Sequence, residues 1–251
     1  MKNIKIKNKK EIEKMKYVGK LTAKVLNMIE NYIVPGITTE KIDKICHNYI
    51  INKQKAIPAC LGYNGFPKST CISINDTVCH GIPNNIDKLK DGDIVNIDIS
   101  IIKNEYHGDS SRMFFVGNVK KKYIHLCKTT KKSMYKAIES IKPNISISTI
   151  GSKIEEYISK KKFSIVEEYC GHGIGKMFHE EPYVLHYKNK NTNIILKEGM
   201  TFTIEPMINY GKKEVYTCKD GWTVKTKDKS YSAQYEHTVL VTKKGCKILT
   251  L

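Results

Sequence analysis

The sequence predicts a mixed α/β fold, in the α+β sense, as a single domain over residues 1–251, and three features carry that reading. A helix-period segment near the N-terminus contrasts with several cleanly alternating segments further on. Hydrophobic residues make up 40% of the 251 positions, enough to bury a sizeable core. No linker, low-complexity block or repeat at solenoid period is visible.

The first element is a helix. In KKEIEKMKYVGKLTAKVLNMIENYI, the residues Ile12, Met15, Val18, Leu21, Val25 and Ile29 recur at helical spacing, and Pro35 with Gly36 stops the run. The stretch DIVNIDIS then alternates, with Val95, Ile97, Ile99 and Ile101 on one face and Asn96, Asp98 and Ser100 on the other, the pattern of a half-buried strand. A tight turn near Lys103 and Asn104 would return the chain through HGDSS and set Asp98 directly opposite Asp109; a turn one residue later makes the pair diagonal on the same face. Like charges so placed destabilise a sheet unless something positive lies between them.

Three further segments add to this pair. In GHGIG, glycines enclose His172, where absent side chains allow sharp turning and close approach to a ligand. In MTFTIEP, Thr201, Thr203 and Glu205 share a face, and Pro206 limits further pairing. In AQYEHTVLV, Glu236, Thr238 and Leu240 alternate with Tyr235, His237, Val239 and Val241, which reads as a strand. Each residue alone has a bland explanation, a solvated carboxylate or a hydrogen-bonded structural histidine. Four carboxylates and one imidazole in such settings together look like the ligands of a two-metal hydrolase.

The segments GHGIG from Gly171, HGDSS from His107, TIEP from Thr203 and QYEHT from Gln234 resemble the signatures of the bacterial type I methionine aminopeptidases, pita-bread metallopeptidases. The resemblance runs essentially end to end and includes CLGYNGFPKS from Cys60, CISINDTVCHGIP from Cys71 and DGWTVKTKDKSYSAQYEH from Asp220. It implies a curved antiparallel sheet of two pseudo-symmetric halves backed by helices, holding two divalent ions, with iron, manganese, cobalt and zinc all compatible with the ligand set. The implied ligands are Asp98, Asp109, His172, Glu205 and Glu236, with Asp109 and Glu236 bridging. Four carboxylates nearly neutralise two such ions and leave a bridging water acidic enough to become hydroxide near neutral pH.

By the same resemblance, His179 polarises the scissile carbonyl, His80 contacts the peptide nitrogen beyond it, and Glu205 shuttles a proton to the leaving amine. Cys60, Tyr63, Phe66, Cys71, Phe178 and Trp222 line a pocket for methionine, for which sulfur and aromatic surface is well suited. Asn64 stands where related bacterial enzymes commonly have histidine, which puts a minor substrate contact in doubt. Carbonyls of Asn75, Thr77 and Ser232 match a monovalent-cation site. The activity implied is removal of the initiator methionine from nascent proteins after deformylation, when the next residue is small, by a monomer.

The alternatives within reach are an Xaa-Pro aminopeptidase or prolidase, which usually carries an additional N-terminal domain, and a metal-free pita-bread protein binding RNA or a ribosome. The intact ligand set speaks against the second. Neither the insertion of the type II enzymes nor a zinc-binding extension is visible. The formal charge is +18, yet almost all of the basic charge is lysine and Arg112 is the only arginine, so compositional drift explains the excess better than a dedicated phosphate-reading surface; weak ribosome association remains the electrostatic alternative. No apolar run approaches the roughly 20 residues of a membrane span and the first residues lack a signal-peptide core, so a cytoplasmic protein without membrane contact is expected. The eight scattered cysteines contain no C-x-x-C and form no disulfide framework; Cys46, Cys127, Cys170, Cys218 and Cys246 read as small buried hydrophobes.

Overall fold

The computed structural model describes residues 4–189, 192 and 194–251. Helix α1 (Lys9–Ile29) begins at a capping box: the Asn8 side chain accepts from the Lys10 and Glu11 backbone, and the Glu11 carboxylate accepts from Asn8 N–H. It passes into a 3₁₀ turn, Glu30–Tyr32, before reaching Pro35 and the left-handed Gly36. Met15, Val18, Leu21, Val25 and Ile29 are buried as the periodicity predicts, with Ile12 packed at the margin. Helices α2 (Thr39–Asn48), α3 (Lys121–Glu139) and α4 (Ser148–Ile158) complete the helical layer.

All named strand pairs are antiparallel, in two larger and two smaller sheets. In the first, the long hairpin Ile94–Lys103 and Tyr106–Phe115 pairs along its other edge with Ile57–Pro58 and Cys71–Ile74. Helices α1 and α2 contribute Val18, Leu21, Val25 and Ile42 to the core that receives Val95, Ile97, Ile99 and Ile101. The second sheet runs in the order Cys246–Ile248, His237–Val241, Thr201–Ile204, Gly171–Gly173, Glu180–Val184. Its Phe202, Ile204, Val239 and Val241 pack with Leu126, Met134, Ile150 and Ile154 of α3 and α4. The chain thus forms two helix-backed halves, each with its own apolar core.

The turn falls one residue later than a Lys103–Asn104 centre. Lys103 pairs with Tyr106, and Asn104 and Glu105 take φ of +52° and +70°, as a two-residue turn with both central residues left-handed requires. Asp98 therefore pairs with Ser111 and Asp109 with Ser100, the diagonal arrangement. The prediction of a half-buried strand is also corrected, because Asn96 and Ser100 on the polar face are buried. The second half of the molecule closes over that face, where Asn96 Nδ2 donates to Gln234 O at 2.8 Å, and over the edge of the hairpin, where Ser110 Oγ, on the side of Ile99, donates to Glu236 O at 2.6 Å.

The stretch AQYEHTVLV is not one strand. It divides into Ser232–Gln234 and His237–Val241, with Tyr235 and Glu236 between them, just as Thr201–Ile204 and Met207–Asn209 are separated by Glu205 and Pro206. The register is unbroken across both gaps, His237 to Ile204 and Met207 to Gln234, so Glu205 and Glu236 lie opposite each other. The physical reason for the interruption is that Glu236 N–H donates to Ser111 O at 3.1 Å, joining the gap to the hairpin of the first half. No helix among the described residues is long and apolar enough to cross a membrane.

Candidate metal centre

The interruption of the two strands and the polar face of the hairpin converge on one cavity of about 450 Å³, whose walls include Asp98, Asp109, His172, Glu205 and Glu236. Asp109, His172 and Glu236 each offer a ligand atom within 4.8 Å of the others. His172 Nε2 lies 3.5 Å from Asp109 Oδ2 and 3.8 Å from Glu205 Oε1. Two donors sharing one divalent ion at about 2.0–2.2 Å each stand roughly 3–4 Å apart, so this spacing fits a shared ion.

The glycines around His172 act by close packing rather than by turning. A Cβ on Gly171 would stand 2.4 Å from Thr203 O, and one on Gly173 would stand 2.2 Å from Glu181 O. The segment is a strand with a register shift between His172 and Gly173, wedged between two neighbours. This aims the imidazole: with His172 Nδ1 3.0 Å from Gly173 O, the tautomer carrying its proton on Nδ1 donates there and turns the Nε2 lone pair toward the carboxylates.

The carboxylates are oriented by neighbours that sequence reading did not single out. Ser100 Oγ donates to Asp109 Oδ1 at 2.7 Å, and Thr203 Oγ1 to Glu205 Oε1 at 2.7 Å. Gln234 Nε2 reaches Glu205 Oε2 at 3.3 Å, and Glu205 N–H donates to His186 Nε2 at 3.1 Å. Ser100 and Thr203 each sit two residues from an acidic residue on the same strand face, a period-2 signal present in the sequence. Gln234 and His186 carry no such signal.

Asp98 Oδ1 is buried with no hydrogen-bond partner among the described residues. Burial, reinforced by the charge of Asp109, pushes the Asp98 carboxyl well above the ordinary carboxylate range. Glu236 is raised by burial and by Asp109, Glu205 and Asp98, and burial lifts Glu205 to about 7. Burial acts upward on Asp109 too, but His172 and Ser100 outweigh it and hold that group low. Four enclosed carboxylates, one with an orphaned oxygen, lack only positive charge, and divalent cations fit this donor set.

A stability prediction follows from the sign of these shifts. Without ions, carboxyls raised in the folded state bind more protons than in the unfolded chain, so their contribution is present at low pH and lost as pH rises from about 4.5 through the value of about 7 reached by Glu205. The melting-temperature gap between metal-loaded and chelator-stripped protein should therefore be widest near pH 8 and shrink toward pH 5, as measured by calorimetry. A gap that widens on acidification would contradict the cluster's role.

The remaining predicted residues border the same cavity. Cys60, Phe66, Cys71 and Phe178 are buried in one apolar cluster, with Tyr63 and Trp222 partly buried against it. Tyr63 meets Phe178 edge-on at 4.9 Å and Phe66 meets Trp222 at 5.2 Å. His179 is on the open side, its Nδ1 2.8 Å from Tyr63 OH and its ring 4.0 Å from that of His172. Enclosure of the ring by the cavity walls, then the neighbouring His172, pushes His179 down to about 4, although the residue as a whole is exposed. His80 holds a left-handed φ of +54° beside Tyr169 and Trp222, a strained backbone for a residue with a Cβ. Asn64 lines the cavity at φ +47°.

Asn75 and Ser232 are brought together, Ser232 N–H donating to Asn75 O at 2.8 Å, and Thr77 lies on the adjoining strand. The cysteines are all free, and Cys46 and Cys127 are buried as expected; Cys170, Cys218 and Cys246 are half-buried, because they lie at a cavity wall, beside a surface turn and on an edge strand.

Residues 13–243 match the model of metallopeptidase family M24. The chain is 58% identical to the methionine aminopeptidase of Escherichia coli strain K12 over 248 residues, 99% of this chain and 94% of that protein. It is 62% identical to the methionine aminopeptidase of Buchnera aphidicola from Schizaphis graminum over 245 residues, 98% and 93% of the two chains. Among solved structures, the methionine aminopeptidase of Rickettsia prowazekii superposes with a TM-score of 0.96 at 49% identity, covering 99% of this chain and all of that one, at 100%. The prolidase of Pyrococcus furiosus gives a TM-score of 0.75 at 26% identity, with 98% of this chain covering 65% of the prolidase.

Proposed function

The chain belongs to metallopeptidase family M24 and has the pita-bread architecture, and from these facts and the geometry of the cavity we propose that it removes N-terminal methionine from newly made proteins. The observation that carries this reading is the juxtaposition, in one cavity, of five potential metal ligands with a sulfur- and aromatic-lined apolar wall. Asp98, Asp109, His172, Glu205 and Glu236 would hold two divalent ions, Asp109 and Glu236 being shared between them. Bound there, such ions supply Lewis acidity and lower the pKa of water toward neutrality.

The rest of the chemistry belongs to the chain. Glu205, held by Thr203 and Gln234, carries a proton from the attacking water to the leaving amine. His179, neutral across the physiological range, donates a hydrogen bond to the developing oxyanion, and His80 contacts the peptide nitrogen beyond the scissile bond. Cys60, Tyr63, Phe66, Cys71, Phe178 and Trp222 enclose the methionine side chain, exclude water and favour a flexible thioether. The free amine of the substrate faces the Asp98 side, so a formylated end is excluded and deformylation comes first.

The carbonyls of Asn75, Thr77 and Ser232 would hold a monovalent cation. The setting proposed is the cytoplasm, with a monomer acting on emerging chains and ribosome contact weak and sensitive to salt. The test of function is cleavage of Met-Ala-Ser, Met-Lys-Ser and Ala-Pro-Ser peptides with and without added divalent metal. Metal-dependent release of methionine from Met-Ala-Ser, with little from Met-Lys-Ser, is expected; hydrolysis of Ala-Pro-Ser in preference to either would replace this reading with the Xaa-Pro one.

A further inference from the structure

The loop that carries Phe178 and His179 leaves the His172 strand at Ile174 and returns as the strand Glu180–Val184. Its path is short and tight: Gly175 N–H donates to Met177 O, His107 N–H to Gly175 O, and Met177 N–H to Glu180 Oε1 at 3.1 Å. The second oxygen of that carboxylate, Glu180 Oε2, accepts from Lys7 Nζ at 2.6 Å, and the two side chains are only 5% and 7% exposed. Lys7 comes from the other end of the sequence. It lies immediately before Asn8, the cap of α1, so the capping box fixes where its chain can run.

The same short arm also grips the second ligand-bearing strand. Lys7 N–H donates to Gly199 O at 2.9 Å, two residues before the strand Thr201–Ile204 that leads into Glu205. Both points are closely packed. A Cβ on Gly175 would stand 2.6 Å from Lys7 Cε and 2.7 Å from Glu180 Oε1, and one on Gly199, which has φ +87°, would stand 2.8 Å from Ile6 Cγ2.

A buried ion pair is a poor device for stability alone, since its desolvation cost largely cancels its attraction and a packed apolar pair serves as well. What it supplies is direction. Met177 N–H holds one oxygen of the Glu180 carboxylate and the Lys7 ammonium the other, so both oxygens are engaged and the backbone two residues before His179 is tied through Glu180 to Lys7. We propose that Lys7 and Glu180 are positioning residues for the reaction: the arm preceding α1 acts as a strut that sets the catalytic-loop segment bearing Phe178 and His179 against the metal-ligand strands. Neither residue touches the substrate. The inference rests on the aminopeptidase reading of the cavity.

The test compares metal-loaded full-length wild type with Lys7→Met, Lys7→Arg, Glu180→Gln and the double variant Lys7→Met/Glu180→Gln. Steady-state cleavage of Met-Ala-Ser, metal content and melting temperature are measured for each. Lys7→Met and the double variant are expected to lose about tenfold or more in kcat, on the scale of misplaced catalytic groups, with metal content unchanged. Lys7→Arg, which keeps a cationic donor, should recover most of the rate. The double variant removes the buried charge on both sides, so its loss of kcat at a melting temperature above the assay temperature separates positioning from stability. If Lys7→Met does not fold, the double variant and Glu180→Gln decide by the same criterion. Wild-type kcat in the folded double variant, or a loss in Lys7→Arg equal to that in Lys7→Met, overturns the strut. A wild type that fails to cleave the peptide in the presence of metal would instead remove the activity on which the proposal rests.

Discussion

Asp109→Asn or Glu236→Gln should abolish peptide cleavage, with kcat/KM falling by ~10³-fold or more, equivalent to about 4 kcal/mol of transition-state stabilisation. Both replacements keep shape and remove one negative charge from the centre of the cluster. Asp109 touches the hydroxyl of Ser100 and lies 3.5 Å from His172 Nε2, while Glu236 sits opposite Glu205 where the paired strands are interrupted. With either charge gone, three carboxylates would be left to hold the two proposed ions, and one of the two proposed shared ligands would be lost. Chelation of the wild type should have the same effect, reversed by added metal. Elemental analysis alongside the Met-Ala-Ser assay checks both statements, and full activity in a sample verified to be metal-stripped would sink the dinuclear reading.

The second large effect distinguishes two histidines whose rings lie only 4.0 Å apart. His172 projects its Nε2 toward Asp109 and Glu205, whereas His179 is anchored by Tyr63 on the open side of the cavity. His179→Ala should lower kcat by roughly 10²-fold or more, the loss typical of an oxyanion donor, with metal content near that of wild type. His172→Ala should reduce metal occupancy itself. Because His179 is held down to about 4, it stays neutral from pH 5 upward, and its protonation should contribute no limb to the rate profile near pH 6.5. Equal metal loss in the two variants would show that His179 is a ligand-side residue rather than an oxyanion donor.

Much of this site was legible before any coordinates. Asp98 sits on the polar face of a clearly alternating strand, and Asp109, Glu205 and Glu236 gain weight only from occurring together with it and from the motifs HGDSS, TIEP and QYEHT that carry the family resemblance. The turn position was less legible: a one-residue difference in its centre converts a directly opposed Asp98–Asp109 pair into a diagonal one, and the local sequence around Asn104 allows either. His186 and Gln234 escaped notice because their partner, Glu205, stands 19 and 29 positions away, too far for any local pattern to pair them.

By itself the sequence determined the amphipathic α1 and the alternating hairpin strands, since these depend on local period, and it offered the candidate charged groups through side-chain chemistry and family resemblance. Tertiary structure alone decided that the polar face of the hairpin is buried, that Tyr235 and Glu236 interrupt a strand, and that Lys7 reaches Glu180 across 173 positions. The reason is one of range. Helical and strand periodicity are set by neighbours a few residues apart, whereas burial of a polar face and the interruption of a ladder are set by whatever second surface closes over them. In this protein that surface is the other half of the molecule, joined through Glu236 to Ser111.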